Sequence, residues 1–322
     1  MKPKIIYGPV LSRRLGRSLG IDIIGPEKTC NFDCVYCQLG RTKNKVQRPE
    51  DICGVSTEDV VQGLKSYLKK VSQIDYITFS GTGEPTLNLR LGEMIREIKK
   101  ISDVPVCVIT NSSLVNRKDV RDNLTEADLV IATLEAGDEN IFRAINRPAS
   151  GIELEDIIQG LTALKNLGPR LAIEVLFVDS KREYPTNISD QAINGLIKAL
   201  KVIDPDEIQV HTLSRPPAED FIIPVSEQKL TRMAQKFDEV LGREKVRLVL
   251  KGLRRKSIDV KHEDLKEDVY GLILRRPSTA SQISSTLGID AKDLAAIIEE
   301  LLRKKNIVEI TAENEKYYRA VS

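Results

Sequence analysis

Short apolar segments alternate with amphipathic ones over most of the chain. The apolar segments are rich in β-branched residues and predict strands at residues 18–24, 75–80, 104–110, 128–134, 171–178 and 207–213. Between them, apolar residues recur every three or four positions, which predicts helices at residues 57–71, 91–101, 117–124, 153–166 and 187–203. Ser56 and Asp59 form a capping pattern at the start of the first helix.

Strands that alternate with helices in this way indicate a parallel sheet that is buried on both faces. The periodicity fits two architectures, an open doubly wound sheet and a partial (β/α)6 barrel. In both architectures the reactive groups lie at the carboxyl ends of the strands. The sequence therefore predicts an α/β fold whose functional residues follow its strands.

The pattern changes after the last of these strands. A helix at 226–241 and a short strand at 246–250 precede a basic stretch that has the composition of a linker. Three helical patterns and an alternating hairpin around Glu313 and Asn314 follow it, which is typical of a winged helix-turn-helix. We therefore expect three parts, an α/β domain at 1–250, a basic linker at 251–262 and a winged-helix domain at 263–322.

The bulk composition fits this division. A chain of 322 residues with 41% hydrophobic content can form one large domain and a small one. No run of about 18 apolar residues and no apolar leader occurs, so we expect a soluble, cytoplasmic protein without a membrane partner. Five cysteines, three of them clustered, do not form a disulfide framework, which also favours a reducing compartment.

The net charge of +2 conceals an uneven distribution. Residues 1–48 contain ten Lys or Arg against three Asp or Glu, and residues 243–261 contain eight against two. Residues 263–322 contain nine against eleven. The basic segments could attract an anionic partner such as RNA, and an ordinary solvated surface explains them equally well.

Three cysteines lie on what we expect to be a loop after the first predicted strand. Cys30, Cys34 and Cys37 have the spacing C-x3-C-x2-C. Three thiolates can each bind one iron of a [4Fe–4S] cube, which leaves the fourth iron without a protein ligand. A structural zinc site is the weaker interpretation, because it needs four protein ligands and neither His211 nor His262 lies near this segment of the sequence.

Two motifs in this order resemble the radical SAM superfamily. One is the cysteine loop (residues 30–37) with Tyr36 before its last cysteine. The other is the glycine-rich stretch (residues 81–85), which contains Gly81, Thr82, Gly83 and Glu84 and is similar to the family's SAM-binding segment. The flanking sequences at 7–10, 14–17 and 38–41 are similar to the branch that includes tRNA wyosine synthases.

The resemblance implies a partial (β/α)6 barrel of the TIM type and two cofactors, a [4Fe–4S] cluster and S-adenosylmethionine (SAM). The three cysteines would bind the cluster, and SAM would bind its open iron. A reductant such as flavodoxin or ferredoxin would supply the electron that cleaves SAM to a 5′-deoxyadenosyl radical, which abstracts hydrogen from an unidentified substrate. Tyr36 would lie near the adenine.

Residues near the strand ends are the other candidates for binding SAM. Gly81 and Gly83 allow a close backbone approach, and Glu84 offers a carboxylate to the amine of SAM. Asn111, Thr133 and Glu135 follow the next strands and could contact the ribose or methionine parts, although such residues also cap helices. The candidates of the cofactor site are Tyr36, Gly81, Thr82, Gly83, Glu84, Asn111, Thr133, Glu135, Arg147 and Glu174.

Three charged or titratable candidates have a second interpretation. Arg147 could bind the SAM carboxylate or a substrate phosphate, or could be an ordinary charge at a helix end. Glu174 lies within an apolar strand, where a carboxylate faces either a site or a partner. His211 could reach the mouth of a pocket or be a core histidine.

Two functions from different classes fit these features. The first is a radical SAM enzyme that acts on a tRNA base or a peptide. The last predicted helix is acidic at its start, so a contact with a protein or peptide, or docking on the barrel, fits the winged helix better than nucleic acid does. The alternative is a regulator that senses redox state or SAM and acts through the winged helix, and the glycine-rich stretch counts against it.

Overall fold

The computed structural model describes residues 4–43, 45–71, 73–250 and 264–321. In these residues the main sheet has nine strands, of which eight lie in the order β1-β2-β3-β4-β5-β6-β7-β9 while β8 pairs with β6. The strands are β1 (Ile6–Ser12), β2 (Gly16–Ile21), β3 (Tyr76–Phe79), β4 (Val106–Thr110), β5 (Leu129–Thr133), β6 (Arg170–Ser180), β7 (Glu207–Thr212), β8 (Ile222–Pro224) and β9 (Val246–Leu248).

The order of the strands distinguishes between the doubly wound sheet and the partial barrel, the two architectures that the periodicity allowed. Strands β2 to β7 pair in parallel with their neighbours in chain order, β9 continues the row, and only β1 and β8 pair antiparallel. A doubly wound sheet reverses its order at a switch point, and this sheet does not. In the described part of the chain, β1 and β9 do not pair with each other. The fold is thus α/β with a mostly parallel sheet, consistent with a partial barrel.

Helices connect the strands and pack on the sheet. They are α1 (Thr57–Leu68), α2 (Leu91–Lys99), α3 (Lys118–Leu124), α4 (Glu139–Asn146), α5 (Leu154–Lys165), α6 (Asp190–Ile203) and α7 (Glu227–Leu241). The Ser56 side chain accepts a hydrogen bond from Asp59 N at the start of α1, as its capping pattern predicts. Buried aliphatic residues of these helices and of the strands form one continuous core. No helix in the described residues is long and apolar enough to cross a membrane.

The structure confirms the predicted strands and helices of the barrel to within about three residues at each end, and it adds three elements. Strand β1 contains Pro9, and a proline weakens a strand pattern because it cannot donate to the ladder. Strand β8 has three residues and α4 has eight, both too short for a clear period. Strand β1 and helix α4 border the functional region, so their absence from the prediction matters for the site.

Residues 264–321, here the C-terminal unit, contain three helices and a hairpin. They are α8 (Leu265–Arg275), α9 (Ala280–Leu287), α10 (Ala291–Arg303), β10 (Ile307–Ala312) and β11 (Glu315–Ala320). The hairpin turns at Glu313 and Asn314, which both have positive φ, as a tight two-residue turn requires. The predicted linker at 251–262 lies outside the described residues.

A buried ion pair attaches the C-terminal unit to the edge of the sheet. Arg275 Nε, at the end of α8, lies 2.8 Å from Asp22 Oδ2, and both side chains are almost fully buried. Arg275 also donates to the backbone oxygen of Lys4 at 2.7 Å, and its guanidinium lies 4.7 Å from the centre of the Tyr7 ring. Val10 of β1 packs in the core of the C-terminal unit. The unit is therefore packed against β1.

Candidate cofactor-binding site

The cysteine loop, the glycine-rich stretch and several strands border one cavity of about 390 Å³. The C-terminal unit borders it as well, through Arg275 and Arg276. The lining includes ten of the residues that the sequence marked as candidates: Cys30, Cys34, Tyr36, Cys37, Gly81, Gly83, Glu84, Asn111, Thr133 and Glu174. The fold thus brings together candidates that extend from Cys30 to Glu174 in the sequence.

The glycine-rich stretch supports the start of the cysteine loop. Thr29 N donates to Thr82 O at 3.1 Å, and Glu84 N donates to Thr29 O at 3.2 Å. A Cβ atom on Gly83 would lie 1.8 Å from Thr29 O, so a side chain at this position is incompatible with the pairing. Gly83 therefore allows two backbone segments to meet, which places Cys30 next to the end of β3.

Helix α4 supports the other side of the cysteine loop. Val35 N donates to Ile145 O at 2.9 Å, and Asp33 N donates to Asn146 O at 3.1 Å. The Asp33 carboxylate accepts a hydrogen bond from Thr42 N at 2.6 Å. Backbone hydrogen bonds on both sides hold the loop, so its three cysteines have defined positions.

The three thiols have an environment that suits an iron–sulfur cluster. Burial raises the pKa of Cys34, and the neighbouring Cys37 and Cys30 raise it further, so their thiolates need a positive centre between them. Asn111 Nδ2 lies 3.4 Å from Cys30 Sγ, and Asn146 Nδ2 lies 3.8 Å from Cys34 Sγ. N–H donors to sulfur are typical of cluster-bound cysteines.

Among the described residues, no group of three or more His, Cys, Asp or Glu side chains has the arrangement that would bind a single metal ion. A cube does not need that arrangement, because each thiolate binds its own iron. The donor set consists of three thiols that border the cavity, two of which have N–H donors, and it therefore fits a [4Fe–4S] cluster.

Glu84 joins the ends of β3 and β4. Its Oε1 accepts hydrogen bonds from Thr86 and from Thr110 Oγ1, the latter at 2.6 Å, and its Oε2 accepts one from Asn111 N at 2.7 Å. Burial raises the pKa of Glu84, and these hydrogen bonds oppose that effect. In the described part of the chain, Oε2 has this one hydrogen bond. It therefore keeps acceptor capacity for a ligand amine in the cavity.

A cluster of ionisable side chains lies inside the barrel. Two of its members are on β6 and β7, the strands that follow α5 and α6. His211 Nε2 on β7 lies 2.6 Å from Glu174 Oε1 on β6, and the guanidinium of Arg14 pairs with the same carboxylate. Burial alone would raise the pKa of Glu174, but Arg14 and His211 outweigh it and hold that pKa below its ordinary value. Glu174 is therefore an ionised carboxylate that faces the cavity.

Three of the candidates are not among the residues that line the cavity. Thr82 donates to Asp22 through its backbone and its hydroxyl. Glu135 accepts from Asn146 Nδ2 at 2.9 Å, and burial raises the pKa of Glu135 to about 7. Arg147 pairs with Glu219 and lies 3.8 Å from Asp33. These contacts support the cysteine loop and its surroundings.

Several basic residues of the cavity lining were not among the sequence candidates. They are Arg13, Arg14, Lys28, Arg215, Arg275 and Arg276. The excess of basic residues in 1–48 was a signal for the first three, but no local pattern indicates that Arg215 and Arg276 face the same cavity.

Comparison with known proteins identifies the family. A family model described as Radical SAM superfamily matches residues 26–179, from just before the cysteine loop to the end of β6. Over 307 residues the chain is 34% identical to a UPF0026 protein of Methanocaldococcus jannaschii, and the match covers 94% of this chain and 87% of that protein. The chain is a radical SAM enzyme of the UPF0026 family.

Two other similarities were found. A protein of Brachyspira hyodysenteriae named GTPase Obg is 31% identical over 310 residues, and this UPF0026 chain spans 44% of its length. The structure of Streptococcus suis SuiB bound to S-adenosylmethionine shares the fold, with a TM-score of 0.52 at 16% identity over 72% of this chain and 50% of that one. As a radical SAM enzyme, the UPF0026 chain uses a [4Fe–4S] cluster and SAM.

Proposed function

We propose that this enzyme reductively cleaves SAM and uses the products to abstract a hydrogen atom from a substrate bound in the same cavity. One observation carries this proposal: the three thiols and the strand-end groups of the glycine-rich stretch border one cavity. When bound, the cluster supplies the electron that splits SAM into methionine and a 5′-deoxyadenosyl radical.

Each group has a separate task in this proposal. Cys30, Cys34 and Cys37 bind three irons and leave the fourth open to the amine and carboxylate of SAM. Asn111 and Asn146 donate N–H groups to the bound sulfurs and so tune the reduction potential. Glu84 accepts a hydrogen bond from the amine of SAM through Oε2, because charge-assisted pairs of this kind are strong.

The remaining lining residues position SAM and exclude water. Gly81 and Gly83 let the glycine-rich stretch pack closely against Asp22 and Thr29, which holds the end of β3 at the cavity where SAM binds. Tyr36 places its ring against the adenine, and Thr133 offers a hydroxyl to the ribose. Glu174 remains ionised beside Arg14 and His211, and contacts SAM or the substrate from inside the barrel.

The C-terminal unit is proposed to be a winged helix-turn-helix that contacts the barrel and a protein or peptide rather than DNA. Helix α10, the third of the unit, begins with Asp290 as its cap and carries Asp293 in its first turn. Negative charge at this end repels phosphate. The buried pair of Arg275 and Asp22 supports docking on the barrel. In the part of the chain that the structure describes, no contact favours the function of a redox regulator over that of an enzyme.

The proposal is tested by the uncoupled reaction. The protein is reconstituted anaerobically with iron and sulfide, reduced with dithionite and mixed with SAM. We expect slow release of 5′-deoxyadenosine, measured by mass spectrometry, and none without dithionite. A reconstituted protein with its full iron content that releases no 5′-deoxyadenosine and leaves SAM intact would contradict the proposal.

A further inference from the structure

Besides Arg275, which pairs with Asp22, four arginines from three separate parts of the chain line the cavity. Arg13 and Arg14 lie in the turn between β1 and β2, Arg215 follows β7, and Arg276 follows α8 in the C-terminal unit. The cavity is thus lined by guanidinium groups from the barrel and from the C-terminal unit. SAM cleavage as proposed above assigns no role to Arg13, Arg215 or Arg276.

One of these arginines has a carboxylate partner. Arg14 pairs with Glu174. Arg13 donates to Ser214 Oγ at 3.1 Å, and Arg215 donates to the same oxygen at 3.4 Å. The Nε atom of Arg215 is buried without a hydrogen-bond partner. Within residues 4–43, 45–71, 73–250 and 264–321, Arg13, Arg215 and Arg276 form no ion pair.

The three arginines without a carboxylate partner lie close enough to repel one another. Burial lowers the pKa of Arg215 well below its ordinary value, and the charges of Arg276 and Arg13 lower it further. Burial also lowers the pKa of Arg276 to about 10. Positive charges that are buried together are costly unless an anion compensates them. Among the described residues no carboxylate pairs with these three arginines, which makes this part of the cavity a candidate site for an anion.

The chemistry of this anion follows from the donors. Guanidinium groups bind phosphate oxygens through paired N–H donors, and a phosphate monoester has three terminal oxygens and close to two negative charges. Three unpaired arginines match such a group better than they match a single carboxylate. The SAM carboxylate has a different assignment, because it binds the open iron in the proposed function.

The burial of the site bears on the size of the ligand. An anion that reaches the Nε atom of Arg215 must enter the cavity, since this atom is not accessible from the surface. The terminal phosphate of a small molecule can do so, whereas the backbone phosphates of a folded RNA lie along its outer surface.

We propose that Arg13, Arg215 and Arg276 bind the phosphate group of a small phosphorylated substrate and hold it in the cavity that SAM occupies. This inference rests on the proposed function, because it specifies the substrate class of the same site. It also gives the C-terminal unit a direct role, since Arg276 belongs to that unit. Arg275, fixed by Asp22, holds the neighbouring residue in position.

Calorimetric titration of the reconstituted, anaerobic protein tests this inference, with inorganic phosphate and ribose 5-phosphate as probes. We expect saturable binding of both. Arg276→Met and Arg215→Met should each weaken it by roughly tenfold or more, because each removes a charge-assisted contact. Arg303→Met, an exposed arginine of the same unit, is the matched control and should bind as the unaltered protein does. Arg215→Lys, which keeps the charge, should lose less than Arg215→Met.

Other outcomes would overturn the inference. If the folded, iron-loaded protein showed no saturable binding of phosphate, the proposed site would not exist. An equal loss of SAM binding and phosphate binding in the arginine variants would assign the arginines to SAM. Tighter binding of a short RNA without a terminal phosphate than of ribose 5-phosphate would assign them to an RNA backbone. Release of 5′-deoxyadenosine by the unaltered protein tests the proposed function separately, so the two can fail independently.

Discussion

Replacement of Cys30, Cys34 and Cys37 together by alanine should leave the reconstituted protein almost without iron, whereas the unaltered protein should hold about four irons per chain. The reason is geometric, since these three thiols border the cavity, and Cys30 and Cys34 lie next to the N–H groups of Asn111 and Asn146. Iron and sulfide assays, together with the visible absorption of the cluster, measure the effect.

The chain offers a matched control for this experiment. Cys53 is exposed and does not line the cavity, and Cys53→Ala should therefore keep the full iron content. Iron retained in the triple variant at the level of the unaltered protein would place the cluster elsewhere and would remove the basis of the proposed site.

The second large effect is expected at the contact between the C-terminal unit and the barrel. Arg275→Met leaves the Asp22 carboxylate buried without its charged partner, although Thr82 and Gly25 still donate to it. Loss of one partner of a buried ion pair destabilises a protein by about 3–5 kcal/mol. The free energy of unfolding, obtained from urea titration, should fall by an amount in this range.

An exposed ion pair of the same unit provides the comparison. Lys304 lies 2.7 Å from Glu300 at the end of α10, and Lys304→Met should lower the free energy of unfolding far less than Arg275→Met, because water screens an exposed pair. The double change Asp22→Asn and Arg275→Met should recover part of the loss, because no charge is then left buried. Equal costs for Arg275→Met and Lys304→Met would mean that the buried pair does not fix the unit.

Asp22 also connects this pair to the SAM site. Its carboxylate accepts hydrogen bonds from the backbone and hydroxyl of Thr82, within the glycine-rich stretch. A Cβ atom on Gly81 would lie 2.2 Å from Asp22 Cγ, so this glycine permits the close packing. The C-terminal unit thus reaches the glycine-rich stretch through two residues, Arg275 and Asp22.

The sequence was sufficient to predict the features of the fold and of the site that depend on local patterns. Periodicity located the strands and helices of the barrel because each buries one defined set of apolar residues, and the side chain of Ser56 capped α1 as expected. The spacing of the cysteines and the position of the glycine-rich stretch after a strand led to a set of residues that largely share one cavity.

The rest depended on contacts between residues far apart in the chain. The sequence left Arg147 as either an anion ligand or a charge at a helix end, and it could not indicate that the guanidinium pairs with Glu219 and lies near Asp33. The pair of Asp22 and Arg275 joins positions 253 residues apart. Neither contact has a local sequence signature, so pattern analysis could not place Arg276 in the cavity or predict how closely the C-terminal unit packs on the barrel.

The central claim is that the three cysteines hold a cluster whose open iron binds SAM. The most direct measurement is the EPR spectrum of the reduced, reconstituted protein with and without SAM. We predict that SAM changes the spectrum, because its amine and carboxylate bind the iron, and that adenosine, which lacks both groups, does not. A spectrum that stays the same at saturating SAM, in protein that holds its full iron content, would contradict the claim.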